Sequence, residues 1–355
     1  MAYTTIDDPS AHFQTTLYTG NGGTLAVTNS GNSDLQPDWV WIKSRPDARD
    51  HQIYDSVRGV TKVIGTDRAA GEATVSNGLT AFGSDGFTVG SDANVNDNGD
   101  SHVAWCWKAG GSASSNSDGN LTSSVSANTT AGFSIVTTTG TGSAATIGHG
   151  LNGAPAMIFG KRRDSGSSNW RVFNHKLSSN SHILFCDTDS AEQSGNSGTW
   201  NNTAPTSSVF SVGDSGDVNA SSGTFVFYCF QEIKGYCKIG SYRGNGSNDG
   251  SHINTGFKPA FVLIKRTDSS TSWQLIDNKR SNSGGNNIID EVIAINSSDA
   301  EYDEGSANWF ADFTSNGFKL RNALGAANTN NAGHIYMAIA ESPFVTSTGV
   351  PTTAR

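Results

Sequence analysis

Pro37-Asp38-Trp39-Val40-Trp41-Ile42-Lys43 recurs as Pro155-Ala156-Met157-Ile158-Phe159-Gly160-Lys161 and again as Pro259-Ala260-Phe261-Val262-Leu263-Ile264-Lys265. Each copy has a proline, a nearly unbroken apolar run and a lysine six positions after the proline. An apolar run of this length that ends in a single charge reads as a buried strand, and proline fits only at a strand's beginning or edge. The lysines lie 118 and 104 residues apart, a domain-sized period.

The repetition extends on both sides of this run. Upstream lies a glycine turn, as Leu17-Tyr-Thr-Gly-Asn-Gly22, Thr137-Thr-Thr-Gly-Thr-Gly142 and Ser241-Tyr-Arg-Gly-Asn-Gly246. Downstream come His51-Gln-Ile-Tyr-Asp55, Trp170-Arg-Val-Phe-Asn174 and Trp273-Gln-Leu-Ile-Asp277. Next are Gly86-Phe87-Thr-Val89, Val209-Phe210-Ser-Val212 and Gly317-Phe318-Lys-Leu320, followed by Asn96, Asn219 and Asn328. Each unit closes on a bulky strand, His102-Val-Ala-Trp-Cys-Trp107, Phe225-Val-Phe-Tyr-Cys-Phe230 or His334-Ile-Tyr-Met-Ala-Ile339. Short runs rich in Val, Ile, Phe, Tyr and Trp, bounded by Gly, Pro, Asn and Asp, are strands of an antiparallel sandwich. The expected fold is therefore all-β, with three tandem antiparallel β-sandwich domains of jelly-roll or lectin-like kind.

The boundaries follow from composition. Residues 1–12 form an N-terminal arm, 13–110 the first repeat, 131–236 the second and 237–345 the third, with 346–355 a C-terminal tail that extends along a neighbour or frays. Residues 111–130, rich in Gly, Ser and Asn, read as a flexible or extended linker that spaces repeats 1 and 2, with proteases expected to cut first between Gly110 and Ser124. Repeats 2 and 3 have no such spacer and are expected to pack together. A short helix is expected around Ile288 to Ile295.

Composition narrows the function classes. Charged residues make up only 15% of the 355 and the formal net charge is −9, so no basic footprint for nucleic acid exists. No apolar run is long enough to insert in a membrane, and the opening Met1-Ala-Tyr-Thr-Thr-Ile-Asp-Asp8 does not read as a secretory leader. Cys106, Cys186, Cys229 and Cys237 share no metal or disulfide spacing and read as free thiols of strands folded in a reducing cytoplasm.

At this point the residues resemble structural and host-contact virion proteins of tailed bacteriophages that infect marine bacteria, especially cyanobacteria. The likeness is carried by Thr5-Ile-Asp-Asp-Pro-Ser-Ala-His-Phe13, Leu17-Tyr-Thr-Gly-Asn-Gly22, Gln36-Pro-Asp-Trp-Val-Trp-Ile-Lys43 and Tyr54-Asp-Ser-Val-Arg-Gly-Val-Thr-Lys62. Ser84-Asp-Gly-Phe-Thr-Val-Gly90, Val103-Ala-Trp105, Trp107-Lys-Ala-Gly110 and Ala340-Glu-Ser-Pro-Phe344 extend it over essentially the whole chain. Repeat 2 departs from the pattern at Phe210, which lacks the preceding glycine. The resemblance implies a non-enzymatic surface component of the virion, made in the host cytoplasm, either a capsid decoration or appendage or a tail-associated part. Its expected partners are other virion proteins and further copies of itself, a trimer being favoured. The alternative is a lectin-like adhesin for host surface polysaccharide, with a depolymerase a weaker third reading. No catalytic residue and no cofactor come with the likeness.

Local motifs for chemistry fall short of their templates. Gly213-Asp-Ser215-Gly216 resembles a serine-protease nucleophile stretch but continues with Asp217 and reads as a turn. Asn94 to Asp100 has the oxygen spacing of a calcium loop, yet Trp105 stands where the closing glutamate belongs, leaving a surface site on Asp97 and Asp100 as the remaining metal option. The few glutamates, Glu192, Glu301 and Glu304 among them, lie in variable loops and make no glycosidase pair. Asp55, Asn174 and Asp277 share one repeated place and read as turn caps, and His149, His175 and His182 as ordinary surface or turn residues. The candidate contact residues are Lys43, Lys161 and Lys265, either a shared ligand or interface contact or, the preferred reading, strand-edge lysines that keep an open sheet from pairing. Trp39, Trp41, Trp105 and Trp107, paired two apart, read as core rather than as a glycan platform.

Overall fold

Strand Trp39–Ser44 is buried along its whole length. Side chains alternate between the faces of a strand, so burial without alternation requires packing on both sides. A computed structural model, which describes residues 2–281, 287–303 and 310–351, shows what lies on each. Val40 and Ile42 meet Val27, Phe87, Val89, Ala104 and Cys106 inside repeat 1. Trp39 and Trp41 face the other way, into a cluster that all three repeats share.

Each repeat is built on two facing sheets whose strands pair antiparallel. In repeat 1 the larger sheet has the order Phe13–Thr19, Ser101–Trp107, Trp39–Ser44, Gln52–Asp55, and the smaller Leu25–Thr28, Gly86–Val89, Leu79–Gly83. Repeat 2 repeats the larger order with Phe133–Thr139, Thr224–Phe230, Met157–Arg162 and Arg171–Asn174, above Ala145–Gly148 and Val209–Val212. In repeat 3 the same core of the larger sheet is Cys237–Arg243, Gly333–Pro343, Phe257–Arg266 and Gln274–Asp277.

The glycine turn and the distant asparagine form one latch in each repeat. The fully buried Asn96 donates through Nδ2 to Gly23 O at 2.6 Å and Gly90 O at 2.7 Å, and its Oδ1 accepts from Asn21 N at 2.8 Å. Asn219 does the same to Ser143 O, Gly213 O and Thr141 N, and Asn328 to Ser247 O, Asn322 O and Asn245 N. The close approach requires the first glycine: a Cβ on Gly20 would lie 2.0 Å from Asp97 O, and equivalents on Gly140 and Gly244 would lie 2.4 and 2.3 Å from backbone oxygens.

The larger sheets turn their outer faces toward one another and close a ring. Trp39 packs on Tyr228 at 4.8 Å and Phe133 at 5.6 Å, Trp107 on Phe261 at 5.4 Å, and Phe159 on Trp273 at 6.5 Å, so every pair of repeats is in contact. The backbone repeats the arrangement: Glu72 N donates to Arg163 O at 2.7 Å, Glu192 N to Thr267 O at 2.8 Å, and Glu301 N to Arg45 O at 2.8 Å. Repeat 1 thus bonds to 2, 2 to 3, and 3 to 1. The three sandwiches are lobes of one body about a quasi-threefold axis.

Three expectations need correction. Residues 111–130 are not a free linker: Ser114–Asn116 and Ser123–Asn128 extend the larger sheet of repeat 2, pairing onward to Phe133–Thr139. The Gly- and Ser-rich composition that suggests flexibility here serves an edge hairpin of small side chains. The helix expected at Ile288 to Ile295 is instead the strands Ile288–Ile289 and Glu291–Ala294, because both faces of that segment are covered. The tail does not fray where it is described, and it meets the arm, which is itself tied to repeat 3. Tyr3 Oη donates to Gly256 O at 2.6 Å, Ser347 N donates to Asp7 Oδ1 at 2.6 Å, and Thr346 N to Val350 O at 2.9 Å. Residues 352–355 of the expected tail lie outside the described residues.

Candidate functional site

Lys43, Lys161 and Lys265 are fully buried and sit on interior strands of the larger sheets, so the strand-edge reading is wrong. Their parity places them with Trp39 and Trp41, on the face turned toward the neighbouring lobes. Each ammonium binds main-chain carbonyls. Lys43 Nζ donates to Ser44 O at 2.8 Å and Asp47 O at 2.9 Å. Lys161 Nζ donates to Ser168 O at 2.5 Å and, across the seam, to Ala69 O at 2.8 Å. Lys265 Nζ donates to Arg266 O at 2.9 Å, Thr271 O at 2.8 Å and, across the next seam, Asp189 O at 3.1 Å. Burial pulls all three pKa values down to about 8, against the attraction of nearby aspartates. Lys161 and Lys265 are thus contacts between lobes of the chain, whereas Lys43 bonds carbonyls of its own lobe.

Beside them the repeated aspartates combine two tasks. Asp277 Oδ1 caps the turn by accepting from Lys279 N at 2.9 Å and Arg280 N at 3.2 Å. Its Oδ2 accepts from Arg280 Nε at 2.6 Å and from Trp105 Nε1, of repeat 1, at 2.9 Å. Asp55 is built alike, its Oδ2 accepting from Arg58 Nε and from Tyr228 Oη, of repeat 2, at 2.7 Å. A glutamate then ties each arginine to the adjoining lobe. Glu301 holds Arg280 at 2.7 Å and Arg45 at 2.6 Å, while Glu72 holds Arg58 at 3.3 Å and Arg163 at 2.9 Å. Burial works against the charge of Arg58 and Arg280, and their carboxylate partners more than offset it.

The third seam replaces the aspartate, both arginines and the aromatic donor. Asn174 keeps the cap, with Lys176 N at 2.8 Å, but Leu177 stands for the arginine, Thr267 for the second arginine and Met337 for the aromatic donor. Glu192, without either arginine, accepts from Ser178 N at 2.6 Å. These positions change together because a buried arginine without its carboxylate is costly. The signal was present in the sequence: Asp55-x-x-Arg58 and Asp277-x-x-Arg280 share a spacing that Asn174-x-x-Leu177 breaks.

A further ring of contacts joins the lobes through the residue that opens each third signature. Trp170 Nε1 donates to Gly65 O and Trp273 Nε1 to Phe185 O, both at 2.8 Å, while His51 Nε2 lies 3.2 Å from Ala294 O. His51, buried and near Lys43, is held neutral with its pKa lowered to about 3. Asp67 and Asp187, equivalent positions that accept from His51 N at 3.3 Å and Trp170 N at 3.2 Å, are pushed up to about 6 by burial.

The other candidates resolve locally. Ser215 accepts from Asp217 N at 3.4 Å and caps the short helix Gly216–Asn219, as a turn residue does. The carboxylates of Asp47, Asp97 and Asp100 lie within 4.8 Å of one another, but Arg49 pairs with Asp97 and, at 3.5 Å, with Asp47. His149 is buried rather than exposed, and its Nδ1 accepts from Leu151 N at 3.1 Å. The four thiols are free and buried, and the paired tryptophans are core.

The model of a domain of unknown function, DUF7483, matches residues 8–343 in one span. The chain belongs to this family. A DUF7483 domain therefore corresponds to the closed three-lobed ring and not to a single repeat, in keeping with lobes that share one core. A comparison with curated proteins finds no match.

Proposed function

We propose that this DUF7483 chain is a non-enzymatic structural component of a tailed-phage particle, exposed on the particle surface and attached through another virion protein. The observation that carries the reading is where the repeated polar residues go. The asparagine latches and buried lysines of all three repeats, and the Asp–Arg–Glu sets of two seams, bond within the chain, so these repeated polar features serve rigidity. A body built this way suits a component that must persist outside the cell, and the whole-length resemblance to marine-phage virion proteins supplies the setting. Association of several chains on the particle belongs to the same reading.

The test is the purified particle. Mass spectrometry should find the chain at fixed stoichiometry, and cryo-electron microscopy should place its three-lobed density on the capsid, vertex or tail. A chain abundant in the lysate of infected cells but missing from washed particles would end the reading. Light scattering of the isolated protein separately tests self-association.

A further inference from the structure

The three repeats treat one sheet edge differently. In repeat 1 the strand Phe13–Thr19 ends its sheet and pairs only with Ser101–Trp107. Lys108 N donates to His12 O at 2.9 Å and Gly20 N to Asp100 O at 2.8 Å. Even-numbered residues therefore direct their backbone groups at the partner, and Phe13, Thr15, Leu17 and Thr19 direct theirs outward. Among the described residues no hydrogen-bond partner meets those outward groups.

At the equivalent edge of repeat 2, Phe133–Thr139 is covered by the inserted strand Ser123–Asn128, in the register Asn128 to Phe133, Ser126 to Ile135 and Ser124 to Thr137. In repeat 3 the first half of the edge is closed by other means. Cys237 bridges to Ile233, Ile239 N donates to Glu232 Oε1 at 3.2 Å, and Ile239 O lies 3.0 Å from His175 Nε2. Among the described residues Ser241 and Arg243 keep unmet outward groups as Leu17 and Thr19 do, so the first edge differs from the third at Phe13 and Thr15, and it carries Leu17, one of the few exposed large hydrophobic side chains.

The open edge also has a shaped approach. A cleft of about 160 Å³ runs beside Phe13 and Thr15, walled by Ser30 and Asn32 on one side and by Asn278, Lys279 and Glu341 of repeat 3 on the other. Gln14 fixes the first wall, accepting from Gly31 N at 2.6 Å and donating to Ser33 O at 2.7 Å. We infer that this edge is a docking site for an extended segment of a partner protein, which adds to the sheet as an antiparallel strand. Repeat 2 shows what the slot takes, a run of small side chains such as Ser123-Ser-Val-Ser-Ala-Asn128. A second copy of this chain fits poorly, because its own edge is recessed behind the same walls. The inference rests on the sheet edge alone and stands whether or not the chain belongs to a virion.

The probe is a peptide with the sequence of residues 120–130, titrated into dilute full-length protein and followed by residue-resolved amide hydrogen exchange. In the free protein the amides of Thr15 and Leu17 should exchange at least about 100-fold faster than those of Ile135 and Thr137, and excess peptide should slow them about tenfold or more. Leu17→Pro removes an N–H that points away from the neighbouring strand, so the sheet is expected to survive while peptide protection at Thr15 is lost. Asn32→Trp, which fills the cleft from its exposed wall, should give the same loss without touching the strand. Thr15 and Leu17 amides already as slow as those of Ile135 and Thr137, or no slowing at millimolar peptide, would overturn the site. Protection that rises with protein concentration alone would assign the edge to a second copy and overturn the choice of partner.

Discussion

Replacing Arg280 by Leu copies the residue that repeat 2 carries at Leu177, yet at this seam it should be severely destabilising. Arg280 is fully buried and bonds Asp277 at 2.6 Å, Glu301 at 2.7 Å and Leu275 O at 3.0 Å. Removing it leaves Asp277, itself fully buried, with Trp105 and two main-chain N–H groups as its remaining donors. Breaking a buried pair from one side costs about 3–5 kcal/mol. Asp277→Asn alone should cost about 2–3 kcal/mol through lost charged hydrogen bonds, since Arg280 keeps Glu301. The double variant Asp277→Asn/Arg280→Leu reproduces the Asn174/Leu177 pairing, retains the cap and buries no unpaired charge, so its cost should be near 2 kcal/mol, well below the sum of the singles. Urea unfolding at pH 7, followed by tryptophan fluorescence, measures all three if the m-values agree. A coupling below about 0.5 kcal/mol would mean that the two residues do not act as a unit, and the account of the seam would fall.

Other outcomes follow from the same geometry. Because the lobes share one hydrophobic cluster, calorimetry should show a single unfolding transition, whereas three separable sandwiches would give resolved ones. Asn96→Ala removes a latch of several hydrogen bonds and should cost about 3 kcal/mol, read as a shift of the urea midpoint. Asp67 and Asp187 are pushed up to about 6, above the ordinary 3.8, so these two groups hold more protons in the folded than in the unfolded state between about pH 4 and 6, and their contribution to stability should fall as pH rises through that window. His51 and His334, whose pKa values burial lowers to about 3 and about 4, act in the opposite direction between pH 7 and 5, so the aspartate effect is read as a difference: Asp67→Asn/Asp187→Asn should raise the melting temperature relative to the unaltered protein more at pH 7 than at pH 5. Cys106, Cys186, Cys229 and Cys237 are buried and their pKa values raised, so a thiol reagent should label none in the native protein and all four after denaturation.

The strands and their order within a repeat are legible in the sequence because each signature binds another nearby. Gly20 and Asn96 belong to one latch, and both recur at matching offsets. The ring is not legible by the same means. A strand such as Trp39–Ser44 announces that both faces are buried, but a second buried face is equally served by a helix, another sheet or another chain. The lysines misled for a related reason: a single charge closing an apolar run is common at an exposed edge, and the carbonyls that take up the ammonium here come from loops far away in sequence, Ala69 for Lys161 and Asp189 for Lys265. Composition failed at residues 111–130, where serine and glycine serve a strand hairpin whose partners are supplied by the next repeat.

What the sequence does contain is the record of the seams, in the places where the repeats differ. Tyr228 faces Asp55, Trp105 faces Asp277, and Met337 stands where Asn174 needs no second donor, so the residue on one lobe follows the residue on the lobe it meets. Three independent domains on a string would give no reason for such matching, since a change in one would leave the others indifferent. A ring gives one, because each lobe presents one surface to its predecessor and a different surface to its successor, and both must fit. The same logic accounts for the edges. Repeats 2 and 3 close theirs by different devices, an inserted hairpin in one and Ile233, Glu232 and His175 in the other, so closure has been reached by separate routes. The bare half of Phe13–Thr19, at Phe13 and Thr15, is then the exception among the three equivalent edges, and a stretch of edge that a protein protects twice and leaves bare once is where an outside segment has room to bind.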